Sequence, residues 1–119
     1  LATADAGIAV IAQVETVEAL TRLEEIAATD GLDGVFIGPS DLSASMGLIG
    51  QTGAPEVQDA LRDAAARLQA VGTPAGILAG SAEDSDRYFD WGYTFVAAGV
   101  DFALLTAAVD GLRAAIRGR

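Results

Sequence analysis

The 119-residue chain contains no cysteine, no histidine and no lysine, and its seven basic residues are all arginine. Each absence removes a chemistry. Without cysteine there is no disulfide, no thiolate nucleophile and no Cys-type zinc centre within this stretch, a composition that fits a cytoplasmic protein. Without lysine the chain cannot form a Schiff base with a carbonyl substrate. Positive charge is scarce altogether: 7 basic against 17 acidic residues leave a formal net charge of −10. A phosphate-backbone partner needs a clustered positive field, so nucleic acid is not an expected partner. Long apolar runs are missing as well. Although 51% of the residues are hydrophobic, they come in short blocks separated by glycine, proline and acidic residues. None approaches the roughly 20 residues that span a bilayer, and no membrane association is expected. The opening LATADAG has neither a basic n-region nor an initiator methionine. It reads as neither a secretion signal nor a natural start, and it suggests truncation.

What is present is an alternation of short β-branched runs and amphipathic stretches. Ile8 to Val14 reads as a strand buried on both faces and ending at Glu15. From Val17 to Ala28 the apolar positions Val17, Leu20, Leu23 and Ile26 or Ala27 form a helical stripe that Asp30-Gly31 stops. Leu32 to Gly38 is a second strand, ended by Pro39 because proline cannot donate to a ladder, and a loop marked by Gly47, Gly50 and Gly53 follows. Val57, Leu61, Ala64, Leu68 and Val71 predict a helix capped by Gly72. The cycle then repeats: a strand over Pro74 to Ala79, a helix from about Ala82 to Trp91, a strand over Thr94 to Gly99, and a last helix from about Phe102 to Arg117. Four such units imply parallel strands joined by right-handed crossovers, either as an open four-stranded sheet or as part of a barrel. A complete (βα)8 barrel takes about 250 residues, so on the barrel reading this is half of one.

Parallel α/β folds gather functional groups at the C-terminal ends of their strands. Three of those ends carry polar residues here: Gln13 and Glu15 after the first strand, Ser40 and Asp41 after Gly38-Pro39, and Asp101 beyond the fourth. Glu15 and Asp41 therefore become plausible neighbours. Two carboxylates without a nearby Lys or His must offset their mutual repulsion, and a hard divalent cation with oxygen ligands, Mg²⁺ or Mn²⁺, does so. Taken alone the pair is a weak signal, because a strand-end Asp or Glu is more often a helix cap or a solvated charge. Asp101 is read as a cap for the last helix, and Glu83, Asp84 and Asp86 as a first turn complementing the helix dipole. Tyr88, Phe89, Trp91 and Tyr93 are read as packing around a helix end, and Met46 as loop packing.

The segments AVIAQVETVEAL and DGLDGVFIGPSDLSASMG closely resemble the two metal-binding segments of the HpcH/HpaI aldolases. The likeness continues through APEVQDAL, PAGILA, RYFDWGYTFVAAGVD and the last helix, so it covers nearly the whole chain in order. The resemblance implies that residues 1–119 form a single partial domain, the C-terminal half of a TIM (βα)8 barrel with four βα units. It implies that Glu15 and Asp41 hold the metal, that Gln13 is a catalytic active-site glutamine, and that Gly38 and Ser40 belong to the loop whose backbone N–H groups hold the substrate carboxylate. Because Pro39 has no N–H, Gly38, Ser40 and Asp41 are the donors expected in that turn. The implied reaction is a class II aldolase cleavage of a 4-hydroxy-2-oxo acid to pyruvate and an aldehyde. Mg²⁺ or Mn²⁺, with Co²⁺ as a further option, would stabilise the enolate in place of a lysine. The family's proton-transfer histidine and pyruvate-contacting arginine lie on earlier strands that this sequence does not contain. It also departs from the family at Ala54, where many members have histidine, and at GVDFALL in place of GVDTTLL. Citryl- or malyl-CoA lyases and a non-catalytic half-barrel assembly module are the alternatives. Intact members are homo-oligomers, commonly hexamers, several of which exchange the last helix, and this points to Phe102 to Arg117 as an interface.

Overall fold

The computed structural model describes residues 7–117, so residues 1–6, on which the reading of the chain start rests, lie outside the described residues. Four parallel strands, β1 (Ile11–Val14), β2 (Gly34–Ile37), β3 (Ala75–Leu78) and β4 (Phe95–Ala97), lie in sequence order in one sheet. Between β1 and β2 run α1 (Val17–Thr21) and α2 (Leu23–Ala27); between β2 and β3 run α3 (Pro39–Ser45) and α4 (Pro55–Ala70). The last two helices are α5 (Ala82–Asp90) and α6 (Asp101–Arg117). The architecture is half an α/β barrel, with every strand joined to the next by a helical crossover.

The pleat divides the side chains between two faces. Val14, Val35, Ile37, Ala75 and Ile77 are buried in one core with Leu23 and with the stripe Val57, Leu61, Ala64 and Leu68 of α4. Full burial of each larger aliphatic side chain contributes about 1.5–3 kcal/mol, which makes α4 the main anchor of the sheet. Val71, at the end of the expected stripe, is the C-cap and is 50% exposed. There the chain leaves the helix through Gly72 at φ +75. On the other face, Gln13, Phe36, Gly76 and Phe95 stand in register across all four strands. The Phe95 ring lies over Gly76, and its centroid is 5.8 Å from that of Phe36.

Three expectations are corrected. The first strand is shorter than expected. Ile8 and Val10 are exposed and precede the ladder, although the Asp33 N–H donates to the Val10 carbonyl at 2.8 Å. The helix expected over Val17 to Ala28 bends at Arg22 (φ −109, ψ 21), which separates α1 from α2. The Thr21 hydroxyl donates back to the Glu18 carbonyl at 2.6 Å, a local competition that bends helices. The loop expected after Pro39 begins only at Gly47, because α3 intervenes. Pro39 occupies the first helical position, where its missing N–H costs nothing, Asp41 favours the positive end of the dipole, and Leu42 and Ser43 are fully buried.

The aromatic group packs largely as expected. Tyr88 and Tyr93 are buried, with the Tyr93 hydroxyl donating to the Leu61 carbonyl at 2.8 Å, and Trp91 is half-buried. Phe89 departs from this: it sits on the solvent side of α5, 53% exposed. Met46 packs at the edge of the core as the C-cap of α3. An ion pair links α2 to α4, Arg67 binding both carboxylate oxygens of Glu24 at 2.5 and 2.6 Å. Along α6, Phe102, Leu104, Leu105, Val109, Leu112 and Ile116 are all between 54% and 71% exposed. With this helix standing out, the radius of gyration is 17.1 Å, against about 13.5 Å for a compact domain of this length.

Candidate active site

The register that pairs Val14 with Ile37 sets Glu15 beside Gly38 at the C-terminal edge of the sheet. Gly38 is buried, and a Cβ there would stand 2.9 Å from Glu15 Oε2, 3.0 Å from Glu15 Cβ and 3.2 Å from Gln13 Nε2. The side chains of Gln13 and Glu15 therefore both lie over Gly38, two residues apart on one face of β1 and directed across to the end of β2. Gln13 Nε2 donates to Glu15 Oε2 at 2.5 Å, which fixes the carboxylate's direction. Gly38 is also the N-cap of α3, so Ser40 and Asp41 follow in that helix's first turn, both exposed. Of the residues singled out in the sequence, Gln13, Glu15 and Gly38 are in direct contact, and Ser40 and Asp41 begin the helix that springs from that point.

One expected role changes. The Gly38 N–H donates to the Val14 carbonyl at 3.1 Å, as part of the sheet, and is not free to grip a ligand. Gly38 contributes empty space for the Glu15 carboxylate. The N–H groups of Ser40 and Asp41 precede the first helical bond of α3, from Leu42 N–H to the Gly38 carbonyl at 2.9 Å, and so have no partner within the helix. Asp101 is the first residue of α6 and not its cap: its Oδ1 accepts from the adjacent Phe102 N–H at 2.7 Å, and its charge lies in the helix's first turn. Glu83 and Asp84 fall in the first turn of α5, where Ser81 Oγ accepts the Asp84 N–H at 3.0 Å.

Among the described residues the ion pairs join Arg22 to Glu25, Arg67 to Glu24 and Asp63, and Arg87 to Asp84, and neither Glu15 nor Asp41 takes part. Two such carboxylates offer anionic oxygen donors, the donor chemistry that hard divalent cations take. No group of three or more His, Cys, Asp or Glu capable of holding a metal occurs among the described residues. Beside the candidate site a cleft of about 350 Å³ runs between the ends of β3 and β4 and the start of α6, bordered by Ser40, Leu78, Ala98, Gly99, Ala103 and Leu104.

Two residues of the site escaped the sequence reading. Thr16 caps α1, its hydroxyl oxygen accepting the Ala19 N–H at 3.1 Å. Its position, directly after a strand-end carboxylate and before an apolar stripe, was the available signal. Ser45 accepts the Val17 N–H at 3.0 Å from 28 residues away, a pairing without any local pattern.

The fold is half an α/β barrel, with Gln13, Glu15 and Gly38 in contact at the C-terminal edge of its sheet and Asp41 in the first turn of the helix that Gly38 caps. Residues 3–108 match the HpcH/HpaI aldolase/citrate lyase family, and the chain belongs to that family. Over 115 residues it is 46% identical to the hydroxypyruvate/pyruvate aldolase of Pseudomonas aeruginosa, the match covering 97% of this chain and 43% of that protein. Over 116 residues it is 40% identical to the 5-keto-4-deoxy-D-glucarate aldolase of Citrobacter koseri, covering 98% and 45%. An HpcH/HpaI aldolase/citrate lyase family protein from Burkholderia cenocepacia superposes with a TM-score of 0.89 at 36% identity, over 98% of this chain and 46% of the other. The chain thus spans less than half the length of these relatives. Among the described residues, no helix is long and apolar enough to cross a membrane.

Proposed function

We propose that this chain carries the metal-binding half of a class II pyruvate aldolase site, in which Glu15 and Asp41 hold Mg²⁺ or Mn²⁺ and the substrate is a 4-hydroxy-2-oxo acid cleaved to pyruvate and an aldehyde. The observation that supports it most is the Glu15 carboxylate lying over Gly38 at the root of the helix that bears Asp41, with neither charge in an ion pair among the described residues. A bound cation would supply Lewis-acid stabilisation of negative charge developing on the substrate oxygens, the task a lysine performs in Schiff-base aldolases. The chain's own residues do the rest of the positioning. Gln13 holds Glu15 in one orientation through its amide. The unpartnered Ser40 and Asp41 N–H groups at the dipole's positive end suit the substrate carboxylate. The aldehyde portion is assigned to the cleft beside Ser40, whose lining is mainly apolar.

The proton-transfer group is not a histidine or a lysine of this chain, which has neither. On the family reading it comes from the part of the relatives that this chain does not match. Relatives named for pyruvate and for 5-keto-4-deoxy-D-glucarate support the oxo-acid class without separating its members. The exposed apolar residues of α6 suit burial in a homo-oligomer, and a cytoplasmic location fits the absence of cysteine. Calorimetric titration of Mn²⁺ and of Mg²⁺, with and without pyruvate, tests the reading on wild type, Glu15→Ala and Asp41→Ala. Pyruvate-enhanced binding lost in both variants is expected; no binding by the folded wild-type chain would overturn the assignment.

A further inference from the structure

Glu15 and Asp41 sit on different turns, and a metal site needs their separation held to within a fraction of an ångström. Two hydrogen bonds join those turns. At the sheet edge the Gly38 N–H donates to the Val14 carbonyl at 3.1 Å. One turn further out the Val17 N–H donates to Ser45 Oγ at 3.0 Å. Val17 is the first residue of α1, so its N–H has no partner within the helix. Thr16, the cap, uses its hydroxyl oxygen on Ala19 instead. The nearest acceptor the fold offers Val17 is therefore the side chain of Ser45, at the last position of α3.

The placement of Ser45 matters. It stands four residues after Asp41 in one continuous helix, so the two lie on the same face of α3. Val17 stands two residues after Glu15. The bond therefore connects the backbone just beyond one carboxylate to the helix face that bears the other. Among the described hydrogen bonds it is the one that joins α1 to α3. The far side of α3 is seated by the fully buried Leu42 and Ser43. Without Ser45 the helix would keep its seat on the core but lose its tie on the Glu15 side.

We propose that Ser45 is a positioning residue that clamps α3 to the start of α1 and thereby sets the separation of Glu15 and Asp41; this rests on the reading of those two residues as metal ligands. The hydroxyl is exposed and outside the core, so its removal acts on the geometry of the pair and hardly on folding.

The test compares wild type, Ser45→Ala, Ser45→Thr and Glu15→Ala in three measurements: thermal melting of the metal-free chain, amide hydrogen exchange at Val17, and Mn²⁺ affinity by calorimetry. For Ser45→Ala, a nearly unchanged melting temperature, faster exchange at Val17 and Mn²⁺ affinity weakened about tenfold are expected, the size usual for groups that orient metal ligands. Ser45→Thr, which keeps the hydroxyl, restores both exchange protection and affinity. If wild type binds Mn²⁺, Glu15→Ala does not, and Ser45→Ala binds like wild type, the positioning role is overturned while the metal site stands. If wild type does not bind Mn²⁺, the metal reading fails and this proposal with it. Loss of affinity in step with a large fall in melting temperature, unrescued by threonine, would overturn the proposal in favour of a purely structural serine.

Discussion

Replacing Gly76 by alanine tests how the open face of the sheet is packed. Gly76 does not have a positive φ, so the backbone itself accepts alanine. The obstacle is the Phe95 ring. A methyl carbon at Gly76 would fall far inside van der Waals contact of three ring carbons, the most distant of them, Cε1, at 2.6 Å. Carbon atoms pack best at about 3.5–4.0 Å, so the ring must retreat by roughly 1 Å or more. It cannot do so freely, because the Phe36 ring stands 5.8 Å away centroid to centroid. Overpacking of this kind costs about 1–3 kcal/mol, which for a domain of this size lowers the melting temperature by roughly 4–12 °C. The assay is urea and thermal unfolding of the wild type, Gly76→Ala, Phe95→Ala and the double variant. With the ring gone the methyl has room, and alanine also restricts the unfolded chain more than glycine does, so in the Phe95→Ala background the same change is neutral or stabilising by about 0.5–1 kcal/mol. The two changes should therefore couple by more than about 1 kcal/mol. Additive energies would refute the claim that Gly76 is small in order to admit Phe95.

Two further outcomes follow from the geometry. At Gly38, where φ is −96, alanine fits the backbone but places its methyl against Glu15 Oε2 and Gln13 Nε2. Those two are ends of movable side chains, but the third contact, Glu15 Cβ at 3.0 Å, moves only with its backbone, so Gly38→Ala should cost about 1–3 kcal/mol of stability while weakening Mn²⁺ at least about tenfold. Unaltered affinity in a calorimetric titration would show that Glu15 does not need that space. The ion pair between α2 and α4 carries a pH signature. Hydrogen bonding from Arg67, first of all, holds the Glu24 carboxyl at about 2 against an ordinary 4.5. Because the folded-state value is depressed, the pair's contribution is present above pH 4.5 and is lost as pH falls toward about 2. The stability gap between wild type and Glu24→Gln, measured by urea unfolding at successive pH values, should therefore narrow below pH 4.5; a gap constant with pH would contradict this.

Much of the fold is local in origin and was legible in the residues. The α4 stripe announces a helix because its spacing of four and three leaves one apolar face, and Val57, Leu61, Ala64 and Leu68 bury it fully. The runs ending at Val14 and Ile37 announce strands through their β-branched residues, although only one face is buried in the core: Val14, Val35 and Ile37 lie on it, while Ile11 on the other face of β1 is 47% exposed. The nearness of Glu15 and the Gly38 turn was also legible, because parallel strands joined by right-handed crossovers bring all their C-terminal ends to one edge. The helix α3 was hidden by its own start: Pro39 reads as a strand breaker, and a two-turn helix with only Leu42 and Met46 along its apolar line offers little periodicity.

What the sequence determined by itself was the repeated βα order, the residue types able to hold a hard cation, and the absence of any amine to replace it. Tertiary structure alone decided the rest. Gly38 and Gly76 look like loose glycines until Glu15 and Phe95 are seen to occupy the space a Cβ would fill. The Gly38 N–H looks available until the Val14 carbonyl is found to hold it. Ser45 reaches Val17 across 28 residues. The physical reason is common to all three: periodicity and propensity act over a few residues, whereas steric room and hydrogen-bond partners depend on which segments the folded sheet sets side by side.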